Sequence, residues 1–298
     1  MDIVIERLNN MENGHLDISR LKLTQLPDSL LWKKVKYLYC HKNQLTNLPD
    51  LPNVKILYCY HNQLTSLPDL PKIETLNCHK NQLNNLPDLP NVKMLYCYKN
   101  QLTTLPDLPK VETLCCSNNQ LISLPTLPNI KRLVCYCNKL TSLPYLTNVR
   151  LLYCEHNRLT GLPHLPNIKH LYCYDNQLAC LPDLPIVEDL HCSHNQLTIL
   201  PDLPNVKELN CGNNQLTILP DLSNVKILVR RNNPLIYNPE NRKVFNALFR
   251  IISVQKIFKK WLVITHQRQQ ERTYQIINQL SGFNILPEEI KLYIIKFV

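Results

Sequence analysis

The sequence predicts a solenoid, a stack of short parallel β-strands joined by extended return segments, on three observations. Asparagine recurs every nineteen residues along most of the chain, and cysteine recurs with the same step. A Leu-Pro-x-Leu-Pro segment separates most units from the next. A fixed interval of this kind indicates one structural unit copied many times, and the bias of 22 Pro, 13 Cys and 4 Gly agrees with it.

The asparagines and cysteines define the repeat. The asparagines are Asn43, Asn62, Asn81, Asn100, Asn119, Asn138, Asn157, Asn176, Asn195, Asn214 and Asn233. The cysteines lie three residues earlier, at Cys40, Cys59, Cys78, Cys97, Cys116, Cys135, Cys154, Cys173, Cys192 and Cys211. One unit reads Val54-x-x-Leu57-x-Cys59-x-x-Asn62-x-Leu64, which matches the pattern LxxLxLxxNxL. We therefore predict a leucine-rich-repeat solenoid with a parallel β-sheet on its inner face.

Alternation along the strand assigns each side chain to a face. Leu57 and Cys59 are two residues apart and should both point into the core, while Ile56, Tyr58 and Tyr60 should point outward. The asparagine that follows should satisfy backbone groups at the turn, so that stacked units form an asparagine ladder. The return segment contains two prolines and should be extended or polyproline-like.

Three regions follow from the pattern. Residues 1–14 should form an N-terminal cap, with a short helix over Asp2–Met11. Residues 15–235 should hold a degenerate first repeat, in which Leu21 replaces the asparagine, followed by about eleven units of the repeat. Residues 236–298 should form a helical C-terminal tail, because apolar residues recur there near helical spacing after Asn238-Pro239.

The aligned cysteines are predicted to be small buried hydrophobes. Metal or redox chemistry is the alternative, but no CxxC occurs and Cys115–Cys116 and Cys135-x-Cys137 have poor zinc spacing. We therefore expect no metal and no cofactor. Cys115 falls in an outward strand position and is predicted to be the most exposed thiol, whereas Cys137 and Cys180 fall in turns.

The cysteines also suggest a compartment. Met1 to Leu8 is short and acidic for a signal peptide, and no run of 18 apolar residues occurs. We expect a cytoplasmic protein without a membrane span, whose cysteines remain thiols in a reducing environment.

The outward strand positions form the candidate binding surface. Ten of the 14 tyrosines lie there, and tyrosine offers contact area and a hydrogen bond at low entropic cost. The predicted partner-binding residues are Tyr37, Tyr39, Tyr58, Tyr60, Tyr96, Tyr98, Tyr136, Tyr153, Tyr172, Tyr174 and His191. The alternative is that tyrosine merely suits a half-exposed strand.

Charge divides this surface. Lys42, Lys80 and Lys99 flank its N-terminal half, whereas Glu155, Asp175, Asp189 and Glu208 mark its C-terminal half. A partner that touches both halves should be charge-complementary. A second column of near-alternating charge, which begins Lys55, Glu74 and Lys93, is predicted to be structural cross-strand pairing.

Catalysis is not predicted. The histidines are expected to be scattered along the stack, and no Gly-rich phosphate loop, HExxH or nucleophile elbow occurs. We expect a binding protein and no enzyme.

The repeat motif carries a family resemblance. The segment Leu64-Thr65-Ser66-Leu67-Pro68-Asp69-Leu70-Pro71 resembles the short leucine-rich repeats of bacterial effectors of the YopM and IpaH type. The cysteine-bearing version is similar to repeat proteins of giant DNA viruses such as mimivirus, which implies the cytoplasm of a host cell. IpaH-type effectors are ubiquitin ligases through a catalytic cysteine in a C-terminal domain. No cysteine follows Cys211 here, so that activity is not expected.

The end of the chain resembles another motif. Residues 285–298 resemble the first helix of an F-box, with Leu286, Pro287, Glu289, Ile290 and Ile294 at the matching positions. The resemblance implies docking to an adaptor of cullin-type ubiquitin ligases; a plain amphipathic helix is the alternative.

Two functions remain. The first is protein binding through the tyrosine-rich surface, with a substrate receptor for a host ubiquitin ligase as its elaboration. The second is nucleic-acid binding by the basic tail, because residues 234–298 contain ten Lys/Arg against four Asp/Glu. The acidic C-terminal half of the surface opposes the second function.

Overall fold

The structure, a computed structural model, describes residues 2–235. Helix α1 spans Asp2–Asn9 and a 3-10 helix spans Leu30–Lys34. Twelve strands form one sheet in chain order. Strands β1 to β12 are His15–Asp17, Tyr37–Tyr39, Ile56–Tyr58, Thr75–Asn77, Met94–Tyr96, Thr113–Cys115, Arg132–Val134, Leu151–Tyr153, His170–Tyr172, Asp189–His191, Glu208–Asn210 and Ile227–Val229.

The strands are parallel and in register, so equivalent residues of successive repeats lie side by side. Leu57 pairs with Leu38 on one side and with Leu76 on the other. The ladder continues past each strand, because the backbone amide of Cys40 donates to Tyr58 O at 2.9 Å. Every position of the repeat therefore forms a column along the solenoid, and the predicted parallel sheet is confirmed.

The core consists of leucine, valine or isoleucine, and cysteine columns. Leu57 and Cys59 are completely buried, whereas Ile56, Tyr58 and Tyr60 are half-buried. The ten aligned cysteines are all buried. Burial raises the pKa of the Cys40 thiol to about 12, so these side chains are neutral and act as small apolar groups.

The asparagine ladder is present. Asn62 Nδ2 donates to Cys59 O and to Cys40 O of the preceding repeat, both at 3.0 Å. Its Oδ1 accepts from the backbone amide of Leu45 at 3.0 Å. Each asparagine therefore joins two turns of the solenoid through groups that the strands leave unpaired.

The return segments of the regular repeats form neither helix nor strand, and in most repeats they contain two prolines, which favour an extended path. A second, exposed asparagine column crosses them, in which Asn91 Nδ2 donates to Pro71 O at 2.9 Å and Asn129 Nδ2 to Pro109 O at 2.8 Å. This column was not predicted. Where it is present, this asparagine ties a return segment to its neighbour in the outer layer; Lys72, Lys110 and Ile186 take its place in three repeats.

The first return segment differs because it is longer. Ser29 Oγ accepts from Leu31 N at 3.1 Å and caps the 3-10 helix there. Trp32 fills the end of the core and donates from Nε1 to Pro27 O at 2.9 Å. Helix α1 is slightly shorter than predicted. It buries Val4 and Leu8 at the same end of the core as Trp32, so it covers the first turn as a cap should.

The chain leaves each strand through a residue in the left-handed region. Lys42, His61, Lys80 and Lys99 have φ between 55° and 57°. Such a conformation costs a non-glycine residue on the order of 1 kcal/mol. The asparagine ladder that follows immediately holds the turn in place, which explains why the chain needs few glycines.

The predicted helical tail, residues 236–298, and its F-box-like end, residues 285–298, lie outside the described residues. Within residues 2–235, no helix is long and apolar enough to cross a bilayer.

Candidate protein-binding face

The predicted binding residues lie on one side of the sheet. We call this side the sheet face: the outward side chains of β2–β11 and of the residue two positions after each strand. Six of the predicted tyrosines and His191 belong to strands, and Tyr60, Tyr98, Tyr136 and Tyr174 follow them. All are half-buried. The in-register strands bring the predicted residues into one continuous surface.

Four aromatic rings form a stack on the N-terminal half of the sheet face. We call it the N-terminal stack: His41, Tyr60, His79 and Tyr98. Successive ring centroids are 4.4, 4.5 and 4.2 Å apart, with interplanar angles of 16°, 9° and 9°. The spacing is close to the distance of about 4.8 Å between neighbouring strands. Identical positions in successive repeats therefore produce the stack without displacing the backbone.

A second stack lies on the C-terminal half. We call it the C-terminal stack: Tyr153, Tyr172 and His191. The two tyrosine rings are 4.4 Å apart at 11°, and His191 follows at 4.6 Å and 23°. Burial, together with the neighbouring Tyr153 and Asp189, raises the pKa of Tyr172 to about 12. Both stacks are ordered arrays of amphipathic rings, so their side chains would lose little conformational entropy on contact with a partner.

The histidines do not gather around one point, but several of them contact neighbours in adjacent repeats. His79 contacts His61 at 5.6 Å as well as its two neighbours in the N-terminal stack. His156 and His194 both approach Asp175, at 3.3 and 3.8 Å. The reason is geometric: His156, Asp175 and His194 follow one another at steps of nineteen, and His61 and His79 are eighteen apart, so each lies in the repeat next to its partner.

The N-terminal half carries positive charge. Arg20, Lys42, Lys80 and Lys99 supply this charge from the same left-handed turn position, which His61, whose pKa burial lowers, occupies between Lys42 and Lys80. Three of them were identified in the sequence; Arg20 and His61 were missed, because the turn position was not recognised. Burial, with His61 and the two nearer lysines, lowers the pKa of His79 to about 4, so the N-terminal stack itself is uncharged at neutral pH.

The C-terminal half contains an unusual carboxylate. Glu155 lies between Tyr136 and Tyr174 in its column; both tyrosines are half-buried, whereas Glu155 is only 6% exposed. Within the described part of the chain, its Oε2 is buried and has no hydrogen-bond partner. Burial raises the pKa of its carboxyl to about 7. A cavity of about 500 Å³ opens beside it.

Cys115 is not an exposed thiol, contrary to the prediction. It pairs in register with Tyr96 on one strand and Val134 on the other, and it is only 8% exposed. Its short side chain lies below those larger neighbours, and burial raises its pKa. Cys180 is exposed and Cys137 is half-buried.

The second charged column is structural, as predicted. Glu74 lies between Lys55 and Lys93, at 3.7 and 3.3 Å. Lys131 pairs with Glu112 at 2.7 Å. The side chains are largely solvent-exposed, so these pairs align neighbouring repeats and contribute little stability individually.

The described residues offer no obvious metal site. Between residues 2 and 235, no group of three or more His, Cys, Asp or Glu side chains could hold a metal ion. The grouped histidines and carboxylates on the sheet face are instead hydrogen-bonded pairs, such as His170 with Asp189 at 2.6 Å.

Comparison with known proteins agrees with this architecture. Residues 33–72 and 52–91 match the family model "Leucine Rich repeats (2 copies)". YopM from Yersinia enterocolitica WA-314 is 30% identical, with 80% of this chain and 69% of that chain covered and a TM-score of 0.51. The chain belongs to the leucine-rich-repeat family.

Two further structures are similar. YopM from Yersinia pestis, described as a leucine-rich effector protein, is 27% identical over 78% of this chain and 88% of that chain, with a TM-score of 0.55. The leucine-rich-repeat domain of APL1B is 19% identical over 79% and 80% of the two chains, with a TM-score of 0.63, which shows the fold alone. No curated protein matches the chain significantly. Leucine-rich-repeat proteins generally act as protein-interaction scaffolds.

Proposed function

We propose that the chain is a protein-interaction scaffold that binds a partner protein through its sheet face. The observation that carries the proposal is the alignment of ten tyrosines on one surface, several of them held in stacks. Tyrosine is enriched among the residues that dominate binding energy. Rings that are already ordered lose little freedom when a partner covers them.

The charges of the sheet face define the partner further. Its N-terminal half presents Lys42, Lys80 and Lys99, and its C-terminal half presents Glu155, Asp175 and Glu208. A bound segment should therefore be acidic at one end and basic at the other, which would fix its direction along the solenoid.

The stacks favour protein over nucleic acid as the partner. Bases bind proteins by stacking on free aromatic faces. In the N-terminal stack both faces of Tyr60 and of His79 are already covered by neighbouring rings, so mainly ring edges and hydroxyl groups remain. Salt-dependent retention of the full chain on DNA or RNA would instead favour the alternative based on the basic residues of 234–298.

The proposal is tested by affinity purification with the full chain as bait. Replacing Tyr58, Tyr96 and Tyr153 together with Ala should weaken the partner's affinity by roughly 2 kcal/mol or more, with the fold intact because these side chains point outward. Tyr145→Ala is the matched control, since Tyr145 is 87% exposed on a return segment and should leave affinity unchanged. Equal capture by both variants would contradict the proposal.

We also propose that residues 285–298 recruit an adaptor of a cullin-type ubiquitin ligase, which would make the protein a substrate receptor. The support is the F-box-like sequence alone. Replacing Ile290 and Ile294 with Asp should abolish adaptor co-purification and leave binding at the sheet face intact, because a solenoid transmits contacts only between neighbouring units. If the wild-type chain captures no cullin-linked adaptor, this second proposal fails and the first is unaffected.

The cysteines support a reducing location, which we propose is the cytoplasm of a host cell, in line with the resemblance to viral repeat proteins. All thirteen cysteines are free thiols. Neighbouring cysteines in the core column lie one strand apart, about 4.8 Å, within the range of Cα distances that disulfides span. Oxidation would therefore threaten the packing of the core, and a reducing compartment prevents it.

A further inference from the structure

The cavity beside Glu155 lies on the C-terminal half of the sheet face and measures about 500 Å³. Its walls include Tyr153 and Tyr172 of the C-terminal stack and Tyr174, Asp175 and His194. The small residues Ser193 and Gly212, at the positions after Tyr174 in the same column, leave room for it. It is thus a depression in a surface that elsewhere carries large rings.

The Glu155 carboxylate determines which kind of ligand the cavity should bind. The side chain is 94% buried, and its Oε2 finds no hydrogen-bond donor within residues 2–235. A buried carboxylate without a partner is costly, and a cation with hydrogen-bond donors removes that cost. Burial also raises the pKa of the Glu155 carboxyl to about 7, because its ionised form lacks stabilisation there.

Tyr174 supplies an aromatic face at the same place. It follows Glu155 in the column, and it lies outside the C-terminal stack. Its ring contacts His156 edge-on, with centroids 5.2 Å apart and planes at 83°. The next residue of its column is Ser193, which has no ring to stack on Tyr174, and both residues line the cavity.

Besides Glu155, the cavity lining contains one carboxylate, Asp175, and one arginine, Arg231. Asp175 approaches the imidazole rings of His156 and His194, at 3.3 and 3.8 Å. Arg231 lies at the far end, four repeats from Glu155, which corresponds to about 19 Å at the strand spacing. A cation next to Glu155 therefore meets attraction from two carboxylates and little repulsion from Arg231.

We propose that this cavity receives an arginine side chain of the partner protein, with its guanidinium group between the Glu155 carboxylate and the Tyr174 ring. The proposal rests on the proposed function and specifies the chemistry of its partner. A guanidinium group is planar, offers five donors in a fixed fork and is weakly hydrated, so it can pair with a carboxylate and stack on a ring at once. An ammonium group is more strongly hydrated and lacks the planar fork.

The test uses small probes and therefore needs no knowledge of the partner. N-acetyl-arginine methylamide is titrated into the full chain with isotope-labelled tyrosine rings at about pH 8, above the ordinary range of histidine titration. N-acetyl-citrulline methylamide is the neutral isostere, and N-acetyl-lysine methylamide is the other cation. The arginine probe should shift the ring resonances of Tyr172 and Tyr174, the lysine probe should bind more weakly, and the citrulline probe should leave the resonances unchanged.

Two variants complete the experiment. Glu155→Gln should weaken the arginine probe roughly tenfold or more, the loss expected for a charge-assisted hydrogen bond. Glu112→Gln is the matched control, because Glu112 is an exposed carboxylate of the charged column and should leave binding unchanged.

Equal binding by wild type and Glu155→Gln, tighter binding of the lysine or citrulline probe, or an absence of ring shifts would each overturn the assignment of this cavity. None of these results would affect the capture experiment with the tyrosine variants, so failure of the cavity and failure of the binding face can be told apart.

Discussion

Replacing Asn119 with Ala removes one rung of the asparagine ladder in mid-solenoid. Asn119 Nδ2 donates to Cys97 O and Cys116 O at 3.1 and 3.0 Å, and Oδ1 accepts from Leu102 N at 3.0 Å. The two carbonyls keep a partner after the change, because Asn100 and Asn138 bond to them as well. The amide of the buried residue Leu102 loses the acceptor that Asn119 provides.

These contacts determine how far Asn119→Ala should lower the free energy of unfolding. A buried donor without a partner costs about 1–3 kcal/mol, and each of the two lost bonds to carbonyls contributes roughly 0.5–1.5 kcal/mol. We expect Asn119→Ala to lower the free energy of unfolding by about 3 kcal/mol, which is near the upper end of the loss of stability that single substitutions usually cause.

The assay is urea unfolding followed by circular dichroism, with hydrogen exchange at the Leu102 amide as a local readout. Asn129→Ala is the matched control. Asn129 makes one exposed bond, to Pro109 O at 2.8 Å, and water can replace it, so the cost should stay below about 1 kcal/mol. If Asn119→Ala unfolds at the same urea concentration as the control, and Leu102 exchanges as slowly as in the wild type, the ladder does not stabilise the stack.

Two further predictions concern titration and thiol reactivity. Because the carboxyl of Glu155 has a pKa of about 7 in the folded protein against 4.5 unfolded, the folded state holds an extra proton between these values, and stability should fall as the pH rises through that window. Glu155→Gln should thus be more stable than the wild type by roughly 2 kcal/mol at about pH 8 and equal to it at about pH 4; parallel stability curves would contradict the burial of this carboxylate. Under native conditions a thiol reagent should label Cys180 first and Cys137 next, with Cys115 and Cys97 protected, since exposure governs access and burial keeps the thiols protonated. Rapid labelling of Cys97 would show that the core column is open.

The regular part of the fold could be predicted because one short pattern specifies it repeatedly. The Leu57-x-Cys59 alternation gives the strand and its inward side, and the following asparagine gives the turn. Each copy independently supports the same register, so a local ambiguity in one repeat is resolved by its neighbours.

The exceptions could not be predicted because they depend on neighbours across the sheet. Cys115 occupies an outward position, but its burial follows from the size of Tyr96 and Val134 beside it. Glu155 occupies a position that is half-buried where a tyrosine stands in it, and its deep burial depends on the packing of adjacent columns. A pattern read along one repeat contains no information about these lateral contacts.

The turn conformation was missed for a different reason. A left-handed residue is usually marked by Gly or Asn, whereas here Lys42, His61 and Lys80 adopt it. Only the ladder, which acts on the next residue, explains how these side chains are held there. The lysines were visible in the sequence, but the shared turn position that adds Arg20 and His61 to their column became visible only in the structure.

The binding face itself is tested most directly by site-specific photo-crosslinking. A benzophenone amino acid is placed at Tyr96 on the sheet face or at Tyr145 on a return segment, and the full chain is irradiated in the cells that produce it. Tyr145 is the more exposed of the two, at 87%, so nonspecific encounters favour it. We expect a discrete adduct with one protein from Tyr96 and none from Tyr145; the same adducts from both positions, or an adduct from Tyr145 alone, would show that the sheet face is not the binding surface.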